Sequence, residues 1–165
     1  MRRIEHFVFL ETTPEVAYDY MTTLKHWCDW YPGTVAIEGQ TEAPSNAGET
    51  FTEIVNTLGL VGKLHWITVE SVRPSRFVIE TTFVEMSLMR GARMRITYAF
   101  EPTPGASKPR VRFTRTFEYA FAGLTRLLDR IYIHKHLKEK AALALTKLPG
   151  IVARASSRGS STYAG

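Results

Sequence analysis

Apolar and polar residues alternate along most of the middle of this chain, and helical spacing takes over only in the last third. Residues 2–11 open the alternation: Ile4, His6, Val8 and Leu10 share one face of a strand, and Glu5, Phe7, Phe9 and Glu11 share the other. Apolar side chains on both faces imply cover on at least part of each side. Thr13-Pro14-Glu15 then reads as a helix start. Thr13 serves as N-cap, Pro14 takes the first helical position, and Glu15 sits at the positive end of the dipole. Val16, Tyr20 and Met21 carry this helix, and a second short helical piece over 24–31 stops at Pro32-Gly33.

Strands are predicted over 35–39, 49–57, 63–72, 76–84, 88–101 and 110–119. Turn-forming residues separate them, including Pro44, Asn46 and Gly48, the pair Gly59 and Gly62, the Arg73-Pro74-Ser75 turn, and a proline-rich loop over 102–109. The chain then enters one amphipathic run over 121–148, about 28 residues and roughly 42 Å of helix. Leu124, Leu127, Leu128, Ile131, Leu137 and Ala141 begin its apolar stripe, and Leu145 and Leu148 continue it. Pro149-Gly150 is expected to end the helix. Residues 151–165 lack periodicity and are expected to form a disordered tail, leaving one domain over 1–150.

One strand, two short helices, about six more strands and a long final helix make an α+β pattern with antiparallel neighbours. A long helix after a curved sheet buries its stripe most simply across the concave face. A sheet wrapped round one helix leaves a cavity between them, so a small apolar ligand becomes the leading functional expectation.

Composition narrows the alternatives. At 165 residues, 44% hydrophobic and 22% charged, the chain has the makeup of an ordinary globular domain. A net charge of +5, spread over many elements, argues against a dedicated nucleic-acid site and allows transient contact with an anionic membrane. The single cysteine, Cys28, excludes an internal disulfide and any multi-cysteine metal site, and fits a cytoplasmic location. No apolar stretch approaches the roughly 20 residues that cross a bilayer, and Glu5 and His6 interrupt the only stretch resembling a signal peptide. Phosphate loops, nucleophile elbows, zinc-pair spacing and dinucleotide fingerprints are all missing, so no metal or cofactor is expected.

Two segments carry a resemblance. Glu11-Thr-Thr-Pro-Glu-Val-Ala-Tyr-Asp-Tyr-Met, followed by Trp27-Cys-Asp-Trp-Tyr-Pro-Gly-Thr-Val, resembles the opening of START-like helix-grip proteins. Trp66-Ile-Thr-Val-Glu-Ser-Val-Arg-Pro-Ser-Arg-Phe-Val-Ile-Glu resembles two of their middle strands joined at a proline turn. This superfamily includes the polyketide cyclase/dehydrase and lipid-transport group. The resemblance covers residues 3–150 and implies a helix-grip fold, a curved antiparallel sheet of about seven strands around the C-terminal helix. It implies no particular function, since such folds serve carriers, receptors and enzymes alike.

Polar residues that interrupt apolar strand faces are the candidates for chemistry. In 110–119, Val111, Phe113, Arg115, Phe117 and Tyr119 share the face expected to point inward, embedding the Arg115 cation in an apolar row. Glu53 is placed likewise between Phe51 and Val55. An unpaired buried charge is costly, so Arg115 and Glu53 each need a partner, water or a ligand, and the two could simply pair as a fold element. An arginine fork suits a ligand carboxylate or a polarised carbonyl.

His65 falls in a row with Ile67 and Val69 and could move protons near neutral pH, although Leu64, Trp66 and Thr68 form a rival row. Thr81 brings a hydroxyl among Phe77, Ile79 and Phe83, and from the helix Leu127, Ile131 and His134 are expected to face the sheet. Trp27, Trp30 and Tyr31 read as an aromatic plug at one end, with a ring at the pocket mouth as the sharper alternative. Arg95 would suit Glu80 on the neighbouring strand. Two functions follow as expectations: binding of a lipid, quinone or polyketide-like aromatic, or cyclase/dehydratase-type catalysis by Arg115 with Glu53 or His65.

Overall fold

The computed structural model describes residues 1–57, 59–86, 89–121, 125 and 128–160, with backbone only for 130, 131 and 156–160. Seven strands form one antiparallel sheet in the order β1-β7-β6-β5-β4-β3-β2. They are β1 (Arg2–Leu10), β2 (Thr34–Glu38), β3 (Thr50–Thr57), β4 (Leu60–Val72), β5 (Arg76–Glu85), β6 (Arg93–Pro102) and β7 (Val111–Ala120). Between β1 and β2 lie α1 (Pro14–Thr22), a 3₁₀ turn (Leu24–His26) and α2 (Trp27–Trp30). After β7 a π-helical turn (Asp129–Ile133) leads into α3 (His134–Ser160). The sheet curls into a half-barrel around α3, which is the helix-grip fold.

Local chemistry sets several of these boundaries. Thr13 Oγ1 accepts the Val16 amide at 3.4 Å and Pro14 opens α1. Gly39, Gly48 and Gly59 take positive φ at the turns on either side of β3, where a side chain would be strained. β6 starts at Arg93 rather than near residue 88, because Gly91 at φ 74° turns the chain just ahead of it. Arg95 pairs with Glu80 across β5 and β6 at 2.6 Å, as the sequence pattern anticipates.

α3 does not stop at Pro149-Gly150. It runs through both to Ser160, and Val152 is buried behind Leu148, Leu145 and Ala141. The stripe continues at spacings of three and four past the proline. Burial of Val152 offsets the hydrogen bond that Pro149 cannot donate and the weak helix propensity of Gly150. Ile151 also packs against the core, while residues 161–165 lie outside the described residues.

Candidate functional site

Strand parity settles which side chains meet. On β3, Phe51, Glu53 and Val55 point inward and Thr52 and Ile54 outward. β4 pairs with it so that Leu64 lies opposite Glu53 and Trp66 opposite Phe51. Those two share the inner face, and His65 therefore belongs to the outer one. There His65 Nδ1 meets Thr52 Oγ1 at 2.9 Å, Nε2 meets Glu85 at 2.6 Å, and the ring stacks on Phe83. The row Leu64, Trp66, Thr68 is the inward one, and His65 does not line the interior.

Thr81 stays opposite the inward Trp66 but commits its hydroxyl to β6. The β4–β5 register shifts between His65 and Trp66, opposite Thr81 and Phe83, so Phe83 turns outward while Val84 is buried. Thr81 Oγ1 accepts the Met94 amide at 2.9 Å where the β5–β6 ladder has ended. It acts there as a substitute for a backbone acceptor.

A mostly apolar cavity lies between the inner face and α3. β3 contributes Glu53 and Val55, β4 Leu64 and Trp66, and β7 Arg115 and Phe117. Met94, Ile96 and Tyr98 of β6 complete the floor, and Leu137 and Lys140 of α3 form the lid. Trp27, Trp30 and Tyr31 close one end, so the aromatic cluster is both plug and lining. At the mouth, Lys140 Nζ donates to the Asn56 carbonyl at 3.1 Å. The cavity encloses about 60 Å³. That holds a few water molecules and falls short of the roughly 150 Å³ apolar cavity that binds benzene. A ligand must therefore push lining side chains aside; Met89 and Met94, unbranched and adaptable, are suited to that.

Glu53 is 4% exposed. Its Oε1 accepts from Thr34 Oγ1 at 2.5 Å and its Oε2 from the Trp66 indole N–H at 3.0 Å. Burial pushes its pKa up, against the lowering effect of these two donors and of the Arg115 charge. Trp66 can only donate, so a protonated Glu53 keeps Oε2 as acceptor while the Thr34 hydroxyl can turn to receive a proton on Oε1. Arg115 is similarly buried, with its guanidinium carbon 4.8 Å from the Tyr31 ring centre and 5.5 Å from that of Phe117. Burial pulls its pKa down, but the Tyr31 and Tyr98 hydroxyls and Glu53 outweigh that, holding the cation charged. Arg115 and Glu53 line one cavity without an ion-pair contact, and they influence each other through space.

The other sequence candidates divide. Phe117 lines the cavity. Phe113 lies just outside it, packed among Trp30, Tyr98 and Phe100 with ring centres 5.2–6.5 Å apart. His134 does not reach the cavity: its Nδ1 meets the Tyr119 hydroxyl at 2.8 Å, and that hydroxyl donates to Asp129 at 2.9 Å. Leu127 lies outside the described residues, and Ile131 is described only in its backbone. Trp66, Tyr98, Thr34 and Lys140 were not among the sequence candidates. Trp66 could have been found by giving the rival β4 row preference.

The family described as polyketide cyclase / dehydrase and lipid transport matches residues 1–148. The chain belongs to this family. Among curated proteins it is similar to penitrem biosynthesis cluster 1 protein I of Penicillium ochrochloron, 29% identical over 113 residues, covering 66% of this chain and 70% of that one. Among solved structures it resembles the Zhui aromatase/cyclase of Streptomyces sp. R1128, with a TM-score of 0.69, 16% identity and coverage of 93% and 94%. It also resembles a START superfamily protein of Mycobacterium smegmatis, with a TM-score of 0.61, 11% identity and coverage of 92% and 97%. At such identities these structures establish the shared START-like fold alone. Among the described residues no helix is long and apolar enough to cross a membrane.

Proposed function

We propose that this chain binds a small, largely apolar molecule, a lipid, quinone or polyketide-like aromatic, in the cavity between the sheet and α3. The observation that carries the reading is the convergence of two ionisable side chains, Arg115 and Glu53, on one otherwise apolar cavity. A few directed polar groups in a greasy lining are the usual makeup of a ligand pocket. Membership of a family that includes lipid transport supports it. The test is native mass spectrometry after gentle purification, joined to thermal shifts with lipids and aromatics. Co-purified ligand or a stabilisation that Ile96→Phe abolishes by filling the cavity is the expected result. Stabilisation that survives Ile96→Phe would place binding elsewhere.

The same convergence favours a second reading, proton-transfer catalysis of the cyclase/dehydratase type. Arg115 would polarise a carbonyl oxygen and Glu53, its pKa raised by burial, would deliver or take the proton. His65, on the outer face, would have no part. The relative named for a biosynthesis cluster and the structural neighbour named as an aromatase/cyclase lend support. Turnover of a poly-β-ketone that is lost in both Glu53→Gln and Arg115→Met, with the fold retained, is the result that would separate enzyme from carrier.

A further inference from the structure

The cavity's hydrogen-bonding groups are unbalanced. On the donor side, Arg115 Nε and Trp30 Nε1 are buried and have no acceptor. Both residues line the cavity, and each is more than nine-tenths buried. On the acceptor side stands Glu53, each of whose oxygens already receives a neutral donor, Thr34 at one and Trp66 at the other. Glu53 does not contact the guanidinium, so Arg115 is held by ring faces rather than by a counter-ion. The guanidinium lies near the ring faces of Tyr31 and Phe117 and hydrogen-bonds the neutral Tyr98 hydroxyl, which leaves Nε without an acceptor and the charge without a contacting anion. A buried cation in that condition is costly unless an anion reaches it.

We infer that the cavity selects a ligand with an anionic oxygen, a carboxylate or an ionised enol, on an apolar body, and that Arg115 is its counter-ion. The inference rests on the reading of this cavity as the binding site and adds the charge of the ligand to it. The direction of the Glu53 shift agrees: burial drives the carboxyl toward its neutral form and so weakens the compensation, already the smallest of the influences on the guanidinium, that it gives the Arg115 charge. The unpaired Trp30 indole supplies a second donor for the same or a neighbouring oxygen. A hydrocarbon would leave both donors unsatisfied, and the oxygen of an alcohol or ketone, although it accepts a hydrogen bond, would leave the Arg115 charge uncompensated.

Matched pairs of small probes test this: benzoate against benzyl alcohol, hexanoate against hexan-1-ol, and cyclohexane-1,3-dione, whose enol ionises, against cyclohexanone. Affinity is read from the indole N–H resonances of the ¹⁵N-labelled protein, so that only binding at the cavity is counted. The anionic member of each pair should bind more tightly by on the order of tenfold to a hundredfold, the range of a charge-assisted hydrogen bond. Arg115→Met should erase that preference while leaving the neutral member's affinity within about threefold, and Arg115→Lys should keep part of it. Neutral members that bind as tightly as their anions, or an anion preference that survives Arg115→Met, would overturn the inference and leave the cavity as the site. Probes that move none of the indole signals would overturn both.

Discussion

Trp66 donates its indole N–H to Oε2 of Glu53 at 3.0 Å, across the β3–β4 pair, and so fixes a buried carboxyl in the cavity wall. Thr34 holds the other oxygen. Replacing Trp66 by Phe keeps most of the ring and deletes the donor. A loss of about 1–3 kcal/mol is expected for leaving a buried acceptor short of a partner, measured by urea denaturation. A loss beyond that range would mean that the ring's packing, rather than its donor, is the larger part.

Burial holds the Glu53 pKa above the ordinary 4.5. The folded chain therefore keeps this proton to higher pH than the unfolded chain does. Glu53's contribution to stability is complete below the unfolded value and is lost as pH rises through the folded one. Glu53→Gln cannot titrate. As pH rises above the unfolded value, the variant should gain stability relative to the native protein. A difference independent of pH would count against a raised pKa.

Among the described residues Arg115 makes no ion pair, so removing it strips no carboxylate of a contacting partner. Arg115→Met, of similar length and apolar, should leave the melting temperature unchanged or raise it, since it removes the cost of burying a charge. Binding of an anionic ligand should weaken in the same variant. A large drop in melting temperature would give Arg115 a structural role.

The outer-face group Thr52, His65 and Glu85 serves as a control. His65→Ala should cost under about 1 kcal/mol, as partly exposed polar contacts do, and should not alter ligand affinity. Altered affinity would bring the outer face back into the site.

How much of this was legible beforehand follows from period and parity. Period distinguished strands from helix, and the count of strands with one long final helix pointed to the fold. Arg115 and Glu53 were found because every second strand residue shares a face and nothing interrupts β3 or β7 near them. His65 was harder to place because both rows of β4 carry apolar residues, and Phe83 turned outward because the register shift opposite His65/Trp66 puts an extra residue into β5, which leaves no mark in a pattern of apolar residues. His134 lay on a plausible helical step, but the five-residue π turn ahead of α3 changes the phase of the helix before it. The end of α3 was misread because a Pro-Gly pair is a strong local stop, and only tertiary burial of Val152 overrides it. Val152→Asp should accordingly destabilise the protein strongly, by more than the roughly 1.5–3 kcal/mol of the lost apolar burial.

The most direct test of the cavity uses the protein's own reporters, because all three of its tryptophans, Trp27, Trp30 and Trp66, line it. A two-dimensional ¹H–¹⁵N spectrum recorded during titration with an apolar ligand follows their indole N–H signals and the outer-face amides of His65 and Phe83 together. The Trp30 and Trp66 indoles should shift along one saturable curve while the outer-face amides stay in place. Shifts at His65 and Phe83 with the indoles unmoved would contradict a binding site between the sheet and α3.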